Sequence, residues 1–233
     1  MLSVIFDLDD TLCDYGAARQ RAKRKIDLLL NEHGVQAGPA YWARFDELDP
    51  VLFARFTAGE LAREEYRRLR FEIPATDAGT DRATASAAAA LANSAYVASA
   101  NTDIELFDDA LPALGSLRAA GAELSLFTNG PSDGQRAKIR ALGLAPHVDH
   151  VFISEELGAA KPSPAAFGAV LSGLGRTARQ SVMVGDSPAT DIAGAQAAGI
   201  RAILLDRTGR HGDSGVETIA GLADLPRLLA SAP

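Results

Sequence analysis

Leu2-Ser3-Val4-Ile5-Phe6-Asp7-Leu8-Asp9-Asp10-Thr11 opens the chain with an apolar run that stops abruptly at acids. Such a run reads as a buried strand that delivers carboxylates to the edge of a sheet. Asp7, Asp9 and Asp10 repel one another and are costly to desolvate, so a fold that keeps them together is expected to supply a cation. Ser181-Val182-Met183-Val184-Gly185 repeats the pattern and runs into Asp186-Ser187-Pro188-Ala189-Thr190-Asp191. If the two runs are neighbouring strands, Asp7, Asp9 and Asp186 converge on one hard, oxygen-loving ion such as magnesium.

Between these runs the chain divides in two. Residues 14–105 show no strong strand. Ala18, Ala22, Ile26, Leu29 and His33 recur at three- and four-residue spacings, and Gly34 follows as a helix stop. Further helices are expected over Pro39–Phe56, Glu60–Phe71 (ended by Ile73-Pro74) and an alanine-rich Arg82–Ser99. This stretch carries 9 of the 14 aromatic residues, including Trp42, enough to build a small core of its own. It reads as a helical subdomain inserted in a domain made of residues 1–13 and 106–233. The latter alternates expected strands (Ala122–Phe127, Val151–Ile153, Ser181–Gly185, Ala202–Leu205) with helices (Ala110–Ala120, Ser132–Leu142, Ser163–Leu174, Ala189–Ala198). Gly121, Gly143, Gly175 and Gly199 punctuate the helix ends. Alternation of this kind implies an α/β fold, a doubly wound parallel sheet covered on both faces, with ligands at the carboxyl ends of its strands.

With 233 residues, 47% of them hydrophobic, the chain can bury a sizeable core. No apolar stretch reaches membrane-spanning length, and the first residues lack the pattern of a secretory signal. Cys13 is the single cysteine, which points to a reducing, cytoplasmic setting. A formal charge of −7 argues against nucleic-acid binding, while a bound divalent cation could still admit a small anionic substrate. The sequence assigns no oligomeric state.

Strand ends supply the chemistry. The first delivers Asp7, the second Thr128 and Asn129, the fourth Asp186, and Lys161 precedes a helix that begins with proline. A carboxylate to attack phosphorus, a lysine and a cation to offset negative charge, and neutral donors for phosphoryl oxygens make a phosphoryl-transfer set. Taken singly, Thr128 reads as a loop hydroxyl, Lys161 as a solvated lysine and Asp191 as a helix-start carboxylate. Their joint order decides against those readings.

In these motifs the chain resembles the haloacid dehalogenase-like hydrolase superfamily, in the branch that carries a helical cap after the first motif. The matching residues are Asp7-Leu8-Asp9-Asp10-Thr11, Thr128, Lys161, and Gly185-Asp186 followed by Asp191. The resemblance implies that Asp7 is the nucleophile and becomes an aspartyl-phosphate. It implies that Asp9 protonates the leaving alcohol, activates water and lends its backbone carbonyl to magnesium. Thr128, with Asn129, would hold the phosphoryl group, and Lys161 would pair with Asp7 and the phosphate. Asp186 would ligate the metal and Asp191 would support it indirectly, with the cap closing over the site.

Dehalogenases of that superfamily lack the second acid, which is present here as Asp9. Its sugar-phosphate mutases often carry an acid where this chain has Gly185. A magnesium-dependent phosphomonoesterase for a nucleotide, sugar phosphate or phosphoglycolate is therefore expected, ahead of a phosphomutase, a dehalogenase or a non-catalytic binding protein. Arg19, Lys23, Arg55, Arg63, Arg67 and Arg68 are candidates for holding the leaving group. His147 and His150, the loop around Gly209, Gly212 and Gly215, Cys13 and Asp10 are expected to be structural.

Overall fold

The computed structural model describes residues 1–212 and 215–230. After β1 (Ser3–Phe6) the chain forms four long helices: α1 (Tyr15–Glu32), α2 (Pro39–Thr57), α3 (Arg63–Asp77) and α4 (Arg82–Thr102). It then alternates through α5 (Ala110–Ala119), β2 (Glu123–Thr128), α6 (Ser132–Ala141), β3 (His150–Ile153), α7 (Ser154–Leu157) and α8 (Pro164–Leu174). β4 (Ser181–Gly185), a π-helical turn at Pro188–Ile192, α9 (Ala193–Ala197), β5 (Arg201–Leu205), β6 (Thr218–Ile219) and α10 (Leu225–Ala230) complete it. Two compact units result, Met1–Tyr15 with the segment from Ile104 onward, and Gly16–Asp103.

In the first unit all strands pair in parallel, in the order β3-β2-β1-β4-β5-β6. β1 is central: Phe6 lies level with Leu126 on one side and Val184 on the other. Being covered on all sides, it needs the unbroken apolar run that the sequence provides. The order reverses at β1, the switch point where parallel α/β sheets bind ligands. The sheet matches the expected doubly wound architecture. Ile5, Phe127, Phe167, Val170 and Met183 form its core, with Phe127 and Phe167 edge-on at 5.2 Å.

The helical unit buries its own aromatic cluster. Phe45 packs 4.9 Å from Phe71 and 5.8 Å from Tyr96 between ring centroids, and Trp42 stands edge-on to Phe45 at 5.5 Å. α4 lies close because Ala85, Ala88, Ala89 and Ala92 give it a small-residue inner face, and Asp81 caps it by accepting from Ala83 and Thr84 N–H. Pro74 does not end α3, contrary to the sequence expectation; the helix runs to Asp77. Burial of Phe71 and Ala75 on either side of the proline holds the last turn in place. Among the described residues no helix is long and apolar enough to cross a membrane.

Candidate active site

Three strand ends converge. Asp7 follows β1 directly and its N–H donates to the Val184 carbonyl at 2.9 Å, so the backbone ladder sets it beside the end of β4. Lys161 Nζ donates to Asp7 Oδ1 at 2.6 Å, to Asp191 Oδ1 at 2.7 Å and to the Phe127 carbonyl at 2.9 Å, which uses all three of its protons. Far from solvated, Lys161 is 5% exposed. Its backbone is fixed by Asn129, whose side chain accepts from Lys161 N–H and donates to Lys161 C=O, both at 2.9 Å. That reciprocal pair uses the amide oxygen and one of the two amide protons, and the second proton is left for the phosphate contact expected of Asn129. Thr128 is buried at the end of β2, and its hydroxyl bonds to no described residue.

Asp186 is held by Thr11, whose hydroxyl accepts from Asp186 N–H at 3.1 Å and lies 3.3 Å from Asp186 Oδ1. Asp191 sits in the π-helical turn with both oxygens engaged, one by Lys161 and the other by Ser187 N–H at 3.0 Å. A side chain at Gly185 would place its Cβ 2.2 Å from Asp191 Oδ2, so an acid there is sterically incompatible with this arrangement.

Carboxylate oxygens of Asp7, Asp186 and Asp191 all lie within 4.8 Å of one another. Among the described residues Lys161 is the one cation in salt-bridge contact with them, which leaves two negative charges uncompensated when all three carboxylates are ionised. Burial raises the Asp7 carboxyl well above the usual carboxylate range; Lys161 pulls it down while Asp191, Asp186 and Asp9 push it up. Asp186 is pushed up to about 7, by burial first and then by Asp191 and Asp10. Burial works against charge on Lys161, but Asp191 and Asp7 outweigh it and hold the ammonium above the usual lysine range. Hard oxygen donors with a charge deficit of two fit a small divalent cation. With Asp191 already engaged, Asp7 and Asp186 are the carboxylates left to hold it; no described residue bonds to Asp7 Oδ2.

The Asp9 carboxylate is not in that group. Lys138 Nζ reaches Asp9 Oδ1 at 2.8 Å and Oδ2 at 2.6 Å, and Gln135 Nε2 donates to Oδ2 at 3.1 Å. Sequence reading missed both residues of α6. The available signal was that Gln135 and Lys138 share a helix face with Ile139, where apolar side chains are expected. Asp10 takes the left-handed conformation at φ 57°, one that Asp tolerates better than most residues, and its N–H donates to Cys13 C=O. Cys13 is fully buried, and burial followed by the nearby Asp9 charge pushes its thiol far up, so it stays protonated as a packing residue.

Most basic candidates of the helical unit are engaged within it. Arg19 pairs with Asp49, Lys23 with Asp46, Arg55 with Glu60, Arg63 with Glu64 and Arg68 with Glu72.

Residues 1–199 match the family model of the haloacid dehalogenase-like hydrolases. The chain belongs to that family. It is 32% identical to ribulose-1,5-bisphosphate 5-phosphatase of Halopiger xanaduensis over 96% of this chain and 98% of that protein. Among solved structures it resembles the HAD-hydrolase YfnB of Bacillus subtilis in a magnesium-bound crystal form, with a TM-score of 0.82, 26% identity and 98% of each chain covered. A 2-haloacid dehalogenase from Pseudomonas syringae pv. tomato is 32% identical with a TM-score of 0.73 over 99% of each chain.

Proposed function

We propose that this hydrolase is a magnesium-dependent phosphomonoesterase for a small phosphorylated metabolite, working through an aspartyl-phosphate on Asp7. The observation that carries this reading is Asp9, a second carboxylate two residues beyond Asp7, held by Lys138 and Gln135. A departing alkoxide needs a proton, whereas a departing halide does not, so Asp9 has work to do in a phosphatase and none in a dehalogenase. The Halopiger phosphatase supports the same class of substrate, and a sugar phosphate is the first to test.

Asp7 attacks phosphorus as the bond from phosphorus to the ester oxygen breaks, and Asp9 gives its proton to that oxygen. A water then attacks phosphorus, Asp9 takes its proton, and the bond from phosphorus to Asp7 breaks to release phosphate. Thr128 donates to a phosphoryl oxygen. Lys161 holds Asp7 Oδ1 in place and offsets the gathering negative charge. Asp7, Asp186 and the Asp9 carbonyl would hold magnesium, which supplies positive charge against the phosphoryl oxygens. In this reading residues 14–105 act as the cap, and Cys13 and the bulk composition fit a cytoplasmic enzyme.

Phosphate release from a panel of sugar phosphates, nucleoside monophosphates and phosphoglycolate, with magnesium or with chelator, tests the proposal. Turnover of at least one ester that chelator abolishes is expected. Chloride release from 2-chloropropionate without turnover of any phosphate ester would replace the phosphatase with a dehalogenase.

A further inference from the structure

Lys138 is 3% exposed and Gln135 4%, on adjacent turns of α6, and neither is among the residues that carry the sequence resemblance to the family. Both side chains point their donors at one carboxylate, Asp9. Lys138 reaches both Asp9 oxygens, and its ammonium lies 3.4 Å from the centroid of the Tyr15 ring, so carboxylate and ring together fix its position. Gln135 Nε2 also donates to the Asn129 carbonyl at 2.8 Å. With two oxygens facing that nitrogen the orientation of the amide is decided, and Gln135 Oε1 is buried with no partner. Gly130 makes room for it: a Cβ there would come 2.9 Å from Gln135 Nε2.

A buried lysine and a glutamine with one orphaned acceptor are a costly way merely to fill space. Asp9 sits on a turn, where its side chain would otherwise sample several rotamers. We infer that Lys138 and Gln135 are positioning residues that lock the Asp9 carboxylate in one orientation for its proton transfers. The inference rests on the phosphatase reading, since it gives those transfers their purpose. Lys138 acts through the Asp9 oxygens that it bonds. A misplacement of the transferring group by about 1 Å can cost on the order of 10²-fold in rate, which sets the expected size of the effect.

The test is a cycle of Lys138→Met, Asp9→Asn and the double variant, measured with magnesium and an alkyl phosphate that the wild type hydrolyses. Lys138→Met is expected to lower kcat by about 10²-fold with KM changed less than threefold, and to add less than threefold in the Asp9→Asn background. Gln135→Leu, the milder variant, is expected to lower kcat several-fold and likewise to add nothing once Asp9 is gone. A crystal structure of either variant should show Asp9 in a new or divided orientation, a readout that needs no activity. Wild-type inactivity on every phosphate ester would sink the phosphatase reading and leave this structural arm to judge the lock. Losses that multiply with that of Asp9→Asn, or an Asp9 side chain unmoved in the variants, overturn the inference.

Discussion

Two buried charge networks occupy the two units, and they are built on opposite terms. In the helical unit Asp49 accepts from Arg19 at 2.9 Å, Tyr66 at 2.9 Å and Arg70 at 3.5 Å, and Arg70 donates on to Asn93. That carboxylate meets two cations and a hydroxyl. At the sheet end three carboxylates lie together, and among the described residues the one ammonium that meets them, on Lys161, pairs with Asp7 and Asp191 and leaves Asp186 without a cation. A network whose carboxylate is met by cations from within holds a core together and pins its helices, even with the buried Arg70 Nε left without a hydrogen bond. One left short of positive charge costs stability and makes sense only if something charged arrives.

The largest expected effect lies at the deficient network. Asp7→Asn keeps shape and hydrogen bonding but removes the nucleophile, so steady-state phosphate release should fall by roughly 10⁴-fold or more. Residual turnover within tenfold of wild type would place the nucleophile elsewhere.

Asp9→Asn sharpens the contrast by leaving group. Loss of a general acid costs about 10²–10⁴-fold where the leaving oxygen needs a proton. Phosphorylation by an alkyl phosphate should drop by that much and by a nitrophenyl phosphate far less, in a single-turnover assay. Equal losses would mean that Asp9 only positions ligands.

The satisfied network should respond in stability. Arg70→Leu takes one of two cations from Asp49 and the guanidinium partner from Tyr66 and Asn93. Removing one member of a buried pair costs up to about 3–5 kcal/mol, and with Arg19 and Tyr66 still on Asp49 a loss of about 3 kcal/mol is expected. Urea denaturation reads this directly, and a shift under 1 kcal/mol would show the network to be dispensable.

Asp186→Asn should do the reverse, by a smaller amount. Because the folded-state pKa of Asp186 is raised to about 7, the folded protein binds more protons than the unfolded chain between about pH 4 and 7. Stability without metal therefore falls as pH rises through that window. A window of about three pH units corresponds to about 4 kcal/mol, which solvent screening of the partly exposed Asp186 cuts by about half, so removing the charge should recover on the order of 2 kcal/mol at pH 8 and little at pH 4. Magnesium should raise the wild-type Tm more at pH 8 than at pH 5.5 and leave the variant's nearly unchanged. A destabilised Asp186→Asn in metal-free buffer at pH 8 would contradict the charge deficit.

Much of this was legible beforehand, for identifiable reasons. β1 and β4 are buried on every side, so their apolar runs stand out, and the acids that end them sit where the ladder stops. The expected helices of the α/β unit fall within a residue or so at most ends because Gly121, Gly143 and Gly175 mark the stops with positive φ. What escaped depends on contacts between distant residues. Pro74 reads as a breaker until the packing of Phe71 and Ala75 is known. β6 is two residues long and is defined only by its pairing with Leu204 and Leu205. The start of the last expected helix is a π turn that holds Asp191 toward Lys161, which helix propensity cannot convey. Lys138 and Gln135 were invisible because a lysine inside a helix face acquires meaning only when the carboxylate opposite it, more than a hundred residues away, is in view.

The central place of β1 also sets an order of events during synthesis. Its outer partner β4 ends at Gly185, and the lysine that neutralises Asp7 is 154 positions downstream. At roughly 5–20 residues per second, the first strand waits from several seconds to more than half a minute for them. All of Gly16–Asp103 leaves the ribosome in that interval. The nascent chain thus carries an apolar strand with both edges unpaired until β2 is made and one edge open until β4 follows, beside a cluster of acids throughout. The acids give that exposed segment a solubilising charge at the time when sticking to a neighbour is the greater hazard.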